Sequence, residues 1–135
     1  MPGGMTGVGK PGREKGRILL VDDDLAVLEI QTERLRRMGY RVAPSQNPRE
    51  AFDLFKEDPY GFDLLMTDEI MPHMRGTEMA EQIRLIRNGM PVIIITAGLD
   101  VERTQERAEA LHINSVFLKP IDKNGMAEAV EAVLR

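Results

Sequence analysis

Three consecutive aspartates, Asp22, Asp23 and Asp24, follow directly on the apolar run Ile18-Leu19-Leu20-Val21. A buried strand that empties into three carboxylates is costly, because like charges raise one another's pKa and desolvation adds to the effect. A divalent cation relieves that cost, and a hard cation such as Mg2+ takes carboxylate oxygen. Three later apolar runs also end in reactive groups. Asp68 follows Asp63–Thr67, Thr96 closes the run from Pro91, and Lys119-Pro120 follows Ser115–Leu118. Taken singly, an Asp caps a helix, a Thr favours a strand and a Lys is a solvated surface group. Together, Asp22, Asp23 and Asp68 with Thr96 and Lys119 suit phosphoryl transfer to a carboxylate. An Asp can serve as nucleophile and form an acyl phosphate. Such transfer asks mostly for positioning and charge neutralisation. Mg2+ would bridge the acids and the phosphoryl oxygens, while the Lys charge and the Thr hydroxyl hold the remaining oxygens.

For these groups to meet, the runs must be neighbouring parallel strands. Short apolar runs alternate with helical periodicity throughout Ile18–Arg135. The spacing predicts strands at Ile18–Val21, Tyr40–Ala43, Asp63–Thr67, Pro91–Thr96 and Ser115–Leu118. It predicts helices from Leu25 to Met38, from Asn47-Pro48 to Asp58, after Gly76 to Asn88-Gly89, from Val101 to Leu111 and from Asp122 to Arg135. Leu28, Leu35 and Met38, then Ala51, Phe52 and Phe55, then Met79, Ile83 and Ile86 are the expected inward positions. Asp23 or Asp24 caps the first helix and Gly39 ends it. Arg34-Leu35-Arg36-Arg37 reads as a solvated face. Strands alternating with helices give a parallel sheet covered on both faces, with right-handed crossovers: an α/β, doubly wound fold. Sites in such folds lie beyond the carboxyl ends of the strands.

The bulk composition agrees with one globular domain. The chain has 135 residues, 42% hydrophobic and 30% charged, enough for a core under a solvated surface. A net charge of −4 speaks against a dedicated nucleic-acid binder. The absence of Cys removes disulfide, thiol and Cys-zinc chemistry. There is no membrane-length apolar stretch and no secretory signal, so a cytoplasmic setting is expected. Residues 1–17, rich in Gly with Pro2 and Pro11, read as a flexible leader or linker, and residues 18–135 as the domain. Gly9-Lys10-Pro11-Gly12 lacks the spacing of a phosphate loop.

The ordered set Leu20–Asp24, Asp63–Asp68, Met71-Pro72 with Gly76, Pro91–Ala97 and Lys119-Pro120 resembles the receiver domains of two-component response regulators. The resemblance covers Ile18 to the C-terminus. It implies a flavodoxin-like (βα)5 sheet of order 2-1-3-4-5. It also implies Asp68 as phosphoacceptor, Asp23 as direct Mg2+ ligand, Asp22 acting mainly through water, and the Ile70 backbone carbonyl as a further ligand. Thr96 and Lys119 would bind the phosphoryl group, Ala97 would leave room for it, and Pro120 would follow a cis peptide bond. Asp24 is left as a helix cap. A sensor histidine kinase or histidine phosphotransfer protein would be the donor. A protein target would read the helix 4–strand 5–helix 5 face, with a phosphorylation-dependent dimer as one output and no nucleic-acid or membrane contact. The chain would be a switch rather than a turnover enzyme, either a single-domain regulator or the C-terminal receiver of a hybrid kinase.

One position departs from the family pattern, and two others bear on the fate of the phosphoryl group. Val116 stands where the family usually has Tyr or Phe; Phe117 beside it points to the opposite face by strand alternation. Ile70 and Gly98, two residues past Asp68 and Thr96, occupy positions that can gate an attacking water. His73 and His112 read as surface residues. A competing reading is a haloacid-dehalogenase-type phosphatase, since Asp22-x-Asp24 after a strand mimics its nucleophile and acid. Ala26 then stands where Thr or Val is expected, no second acidic pair follows, and Asp68 is left without a role.

Overall fold

The computed structural model describes residues 15–113 and 115–134. Five strands are present: β1 (Arg17–Val21), β2 (Arg41–Ser45), β3 (Leu64–Asp68), β4 (Val92–Thr96) and β5 (Ser115–Leu118). They alternate with α1 (Leu25–Arg37), α2 (Pro48–Glu57), α3 (Gly76–Ile86), α4 (Val101–Ala110) and α5 (Lys123–Leu134). All pairings are parallel and the order is β2-β1-β3-β4-β5. This is the doubly wound, five-stranded architecture expected.

Strand alternation divides the core in two. Ile18 and Leu20 of β1, Leu64 and Met66 of β3, and Ile93 and Ile95 of β4 face Leu28 and Leu35 of α1 and Met126 and Val130 of α5. Leu19, Val21, Leu65, Val92 and Ile94 point the other way, against Ala51 and Phe55 of α2 and Met79 and Ile83 of α3. β3 and β4 are buried along their whole lengths, which is why their sequences are apolar on both alternations. Edge strand β2 tolerates Pro44 because one side of its ladder faces outward.

Helix ends follow local chemistry. Asp24 Oδ1 accepts from the amides of Ala26 and Val27 at 3.0 and 3.3 Å, so Asp24, not Asp23, is the cap of α1. Asn47 caps α2 in the same way, with Pro48 opening the helix. Gly39 ends α1 at a φ of +102°, a conformation that favours Gly.

Several boundaries differ from the sequence reading. Lys15, Gly16 and Arg17 belong to the fold: the Lys15 amide donates to Gly39 O, the Arg41 amide to Gly16 O, and Arg17 opens β1. The rest of the expected leader lies outside the described residues. β2 runs on to Ser45 and β3 starts at Leu64. A 3-10 turn, Gly98–Asp100, precedes α4. Ile86, the last residue of α3, is 43% exposed rather than inward; Met38 and Phe52 are half-buried. Arg34 is not a solvated charge: its Nη1 donates to Ile121 O at 3.1 Å, tying α1 to the β5–α5 loop.

Candidate functional site

The parallel register brings the strand ends level. Val21 pairs with Thr67, Asp68 with Ile95, and Thr96 with Leu118, so Asp22, Asp68, Thr96 and Lys119 sit around one rim. β1 and β3 flank the point where the strand order reverses, the expected place for a site.

Asp22, Asp23 and Asp68 each present a carboxylate oxygen within 4.8 Å of the others. Asp22 and Asp68 are buried and Asp23 is exposed. The Lys119 ammonium donates to Asp22 Oδ2 at 3.0 Å and to Asp68 Oδ2 at 3.1 Å. The second Asp22 oxygen accepts the Asp24 amide at 2.9 Å. One Lys thus faces three acids, and the cluster keeps an excess of negative charge.

The electrostatics follow from that imbalance. Burial holds the Asp68 carboxyl above the ordinary aspartate value; Lys119 opposes this, while the charges of Asp22 and Asp23 add to it. Burial alone would lower the Lys119 ammonium, but its bonds to Asp22 and Asp68 and their charges hold it above the ordinary lysine value. A second cation is the simplest relief for the remaining charge. Three hard oxygen donors on a solvent-reached rim fit Mg2+ in chemistry and number, since this ion keeps several waters and takes few carboxylates.

Of the other predicted residues, Thr96 ends β4 on the same rim, whereas Val116 pairs with Ile94, two residues short of it. Thr96 is buried at the end of β4, its hydroxyl 3.3 Å from Ala97 O, and Ala97 is exposed beside it. Ile70 is 47% exposed in the loop after Asp68. Val116 is half-buried against the α2–α3 core cluster, whereas Phe117 packs on the α1–α5 side, as alternation requires. The Lys119–Pro120 bond is cis. His73 and His112 are exposed, both with positive φ. A cavity of about 340 Å3 between α1 and the β5–α5 loop, lined by Leu28, Gln31, Arg34 and Ile121 among others, reaches Asp22, Asp68 and Lys119.

Three features show contacts that a reading by motif does not supply, although Gly76 itself belongs to the motif set. Glu69, directly after Asp68, is wholly buried, and its carboxylate takes the Thr77 amide at 2.7 Å and hydroxyl at 2.8 Å. Burial holds that carboxyl above the ordinary glutamate value, against the pull of the Thr77 bonds. Arg75 and Asp100 form an ion pair at 2.8 Å between the loops that follow β3 and β4. Gly76 opens α3 so close to β3 that a Cβ there would collide with the Asp68 carbonyl oxygen. The one local signal was an acid at the end of a strand with a Thr at the start of the next helix.

Comparison with known proteins agrees with this geometry. Residues 18–131 match the family described as "Response regulator receiver domain". The chain is 40% identical over 121 residues to response regulator MprA of Mycolicibacterium vanbaalenii, covering 88% of this chain and 50% of that protein. It is 33% identical over 119 residues to the transcriptional regulatory protein ZraR of Escherichia coli, covering 87% of this chain and 26% of the relative. The chain therefore spans a quarter to half of these relatives. Among solved structures, the non-phosphorylated HemR receiver domain of Leptospira biflexa superposes with a TM-score of 0.80 at 30% identity, covering 88% and 94% of the two chains. TrrA of Thermotoga maritima, solved in complex with Mg2+–BeF, gives 0.77 at 28% identity over 87% and 98%. The chain, matched over Ile18–Glu131 on a sheet of the same order, belongs to the response regulator receiver domain family.

Proposed function

We propose that the chain is a phosphorylation switch that accepts a phosphoryl group on Asp68 from the phosphohistidine of a sensor histidine kinase or phosphotransfer protein. The observation that carries this reading is the convergence of Asp22, Asp23 and Asp68 within 4.8 Å, with Lys119 bonded to two of them. Asp68 supplies the nucleophile. Its oxygen forms a bond to phosphorus as the phosphorus–nitrogen bond of the donor breaks, the electron pair returns to the imidazole, and the ring takes a proton from solvent. Lys119 supplies a fixed positive charge to the oxygens of the arriving group. Asp22, Asp23, Asp68 and the Ile70 carbonyl would hold Mg2+, which when bound neutralises charge on the acids and the phosphoryl oxygens.

The same reading assigns Thr96 to a phosphoryl oxygen, with Ala97 leaving space beside it. Movement of Thr96 toward the phosphoryl group would favour a second arrangement of the α4–β5–α5 face. That is a population shift driven by contacts made only in the phosphorylated state. Val116 offers no ring to follow Thr96, so the signal would pass through the backbone of β4 and the following turn. Leu118, half-exposed on edge strand β5, gives that face an apolar anchor for a protein target or a second copy. The donor would approach over α1 and the β5–α5 loop, where exposed Ile30 lines the cavity and Leu25 is exposed at the start of α1.

Among the described residues no helix is long and apolar enough to cross a membrane. We read the described residues from Lys15 onward as one receiver domain acting in the cytoplasm. A stand-alone regulator and the receiver of a hybrid kinase both fit this switch. The phosphatase alternative is not favoured, because Asp24, its required acid, is engaged as the cap of α1. Transfer of label from an autophosphorylated histidine kinase, with Mg2+ or with chelator, tests the reading. Label that moves only with Mg2+, and not to Asp68→Asn, supports it; transfer indifferent to both contradicts it.

A further inference from the structure

We propose that Glu69 is a positioning residue for the reaction at Asp68, and that it acts through a buried clamp on Thr77. This rests on the reading of Asp68 as phosphoacceptor and deepens it.

Glu69 is bonded in three directions. Its amide donates to Ile95 O at 3.1 Å, fixing it to β4. Its carbonyl accepts the Gly76 amide at 3.0 Å. Its carboxylate accepts both the amide and the hydroxyl of Thr77 at the start of α3. The loop Ile70–Arg75 is therefore closed at its base by three bonds to one residue. Asp68, the last residue of β3, stands immediately before this closure. Its carbonyl oxygen accepts the Thr67 hydroxyl at 2.8 Å and is pressed against Gly76.

A fully buried carboxylate is an expensive way to cap a helix. Its desolvation is offset only by well-made hydrogen bonds and the positive end of the α3 dipole. An apolar residue of similar size would pack there at lower cost. The carboxylate instead allows one arrangement, because both of its oxygens must meet Thr77. That fixes how far α3 stands from the end of β3, and with it the path of the loop that carries Ile70 past Asp68. Reactive constellations need placement to about 0.5 Å, and residues behind the ligands supply it.

A purely structural cap would change stability alone; a positioning residue also changes how the folded chain binds the metal. The full chain is compared as wild type, Thr77→Val, Thr77→Ser and Glu69→Ala. The readouts are Mg2+ affinity by calorimetry, the Mg2+ concentration that half-saturates phosphorylation by a small acyl phosphate, and thermal midpoint. Thr77→Val keeps the amide bond and the shape but loses the hydroxyl. It should weaken Mg2+ binding about 10-fold and raise the half-saturating Mg2+ to match, the usual scale for groups that orient ligands. Thr77→Ser should recover most of both. A folded Thr77→Val protein with wild-type Mg2+ affinity and half-saturation overturns the proposal, even if its midpoint falls. Should Glu69→Ala fail to fold, the two Thr77 variants decide the matter alone. A wild-type chain that neither binds Mg2+ nor takes phosphate overturns the underlying reading, and this proposal with it.

Discussion

Lys119 Nζ lies 3.1 Å from Asp68 Oδ2, a bond between the ends of β5 and β3 across the strand that separates them. The same ammonium holds Asp22 at 3.0 Å, so one cation spans the rim of the sheet. In this state Asp22 and Asp68 occupy the Lys119 charge that an arriving phosphoryl group would need.

Replacing Lys119 by Gln leaves two buried carboxylates without their cation. The metal-free chain should lose about 1–3 kcal/mol, the range for unpairing partly buried charged groups. Added Mg2+ should restore part of the loss, since binding the native state alone stabilises it by mass action. Urea unfolding of wild type and Lys119→Gln, with Mg2+ and with chelator, measures both. Equal stabilities under both conditions would mean that the Lys119 contacts contribute nothing.

Asp68 is held above the ordinary carboxylate value by burial. Between that ordinary value and its raised folded value, the native chain binds more protons than the unfolded one. Stability therefore falls as pH rises through this window; the contribution is complete only below the ordinary value. Lys119, held above its own ordinary value, stays charged throughout and adds no slope there. Asp68→Asn should be more stable than wild type near neutral pH without metal, with the difference shrinking as pH falls. Denaturant titrations from weakly acidic to neutral pH would contradict this if the difference stayed constant or grew toward acid.

Gly76 leaves no room for a methyl group. A Cβ would meet the Asp68 carbonyl oxygen and stand 2.9 Å from Thr67 Cγ2, both of them in a buried strand. Gly76→Ala should cost about 1–3 kcal/mol, as overpacking does, and should lower the rate of Asp68 phosphorylation in the fraction that folds. Gly89→Ala, with open space around its would-be Cβ, is the control. Similar behaviour of the two variants would show that the contact is relaxed at little cost.

Ile70 and Gly98 offer no group able to hold a water against the phosphoryl group. Ile70 is half-exposed and apolar, and Gly98 has no side chain. The phosphorylated state should accordingly be long-lived, and Ile70→Asn should shorten it severalfold by orienting a water. The decay of phosphorylated protein after removal of the donor gives the rates. Identical decay in wild type and variant would remove Ile70 from any gating role.

The strands were legible because their apolar runs are buried on both faces, and the reactive groups because parallel topology puts every strand's carboxyl end on one side. Asp68, Thr96 and Lys119 could be gathered from sequence on that basis alone, although Lys119 is 51 residues from Asp68. Periodicity reported which face of α3 turns inward but not how far along the helix packing continues, and Ile86 at its last position is exposed. Arg34 looked solvated because its partner, Ile121 O, lies 87 residues away. Glu69 and Thr77, and likewise Arg75 and Asp100, meet only once the loops after β3 and β4 are folded. A polar residue's burial depends on such a partner, and no local pattern names it.

The central claim is that Asp68 carries the phosphoryl group. Intact mass after incubation with a small acyl-phosphate donor and Mg2+ tests it most directly, on wild type and Asp68→Ala side by side. One phosphate-sized gain on wild type, absent from Asp68→Ala and absent when chelator replaces Mg2+, is the expected result. No gain on wild type, or a gain that persists in Asp68→Ala, would contradict the account.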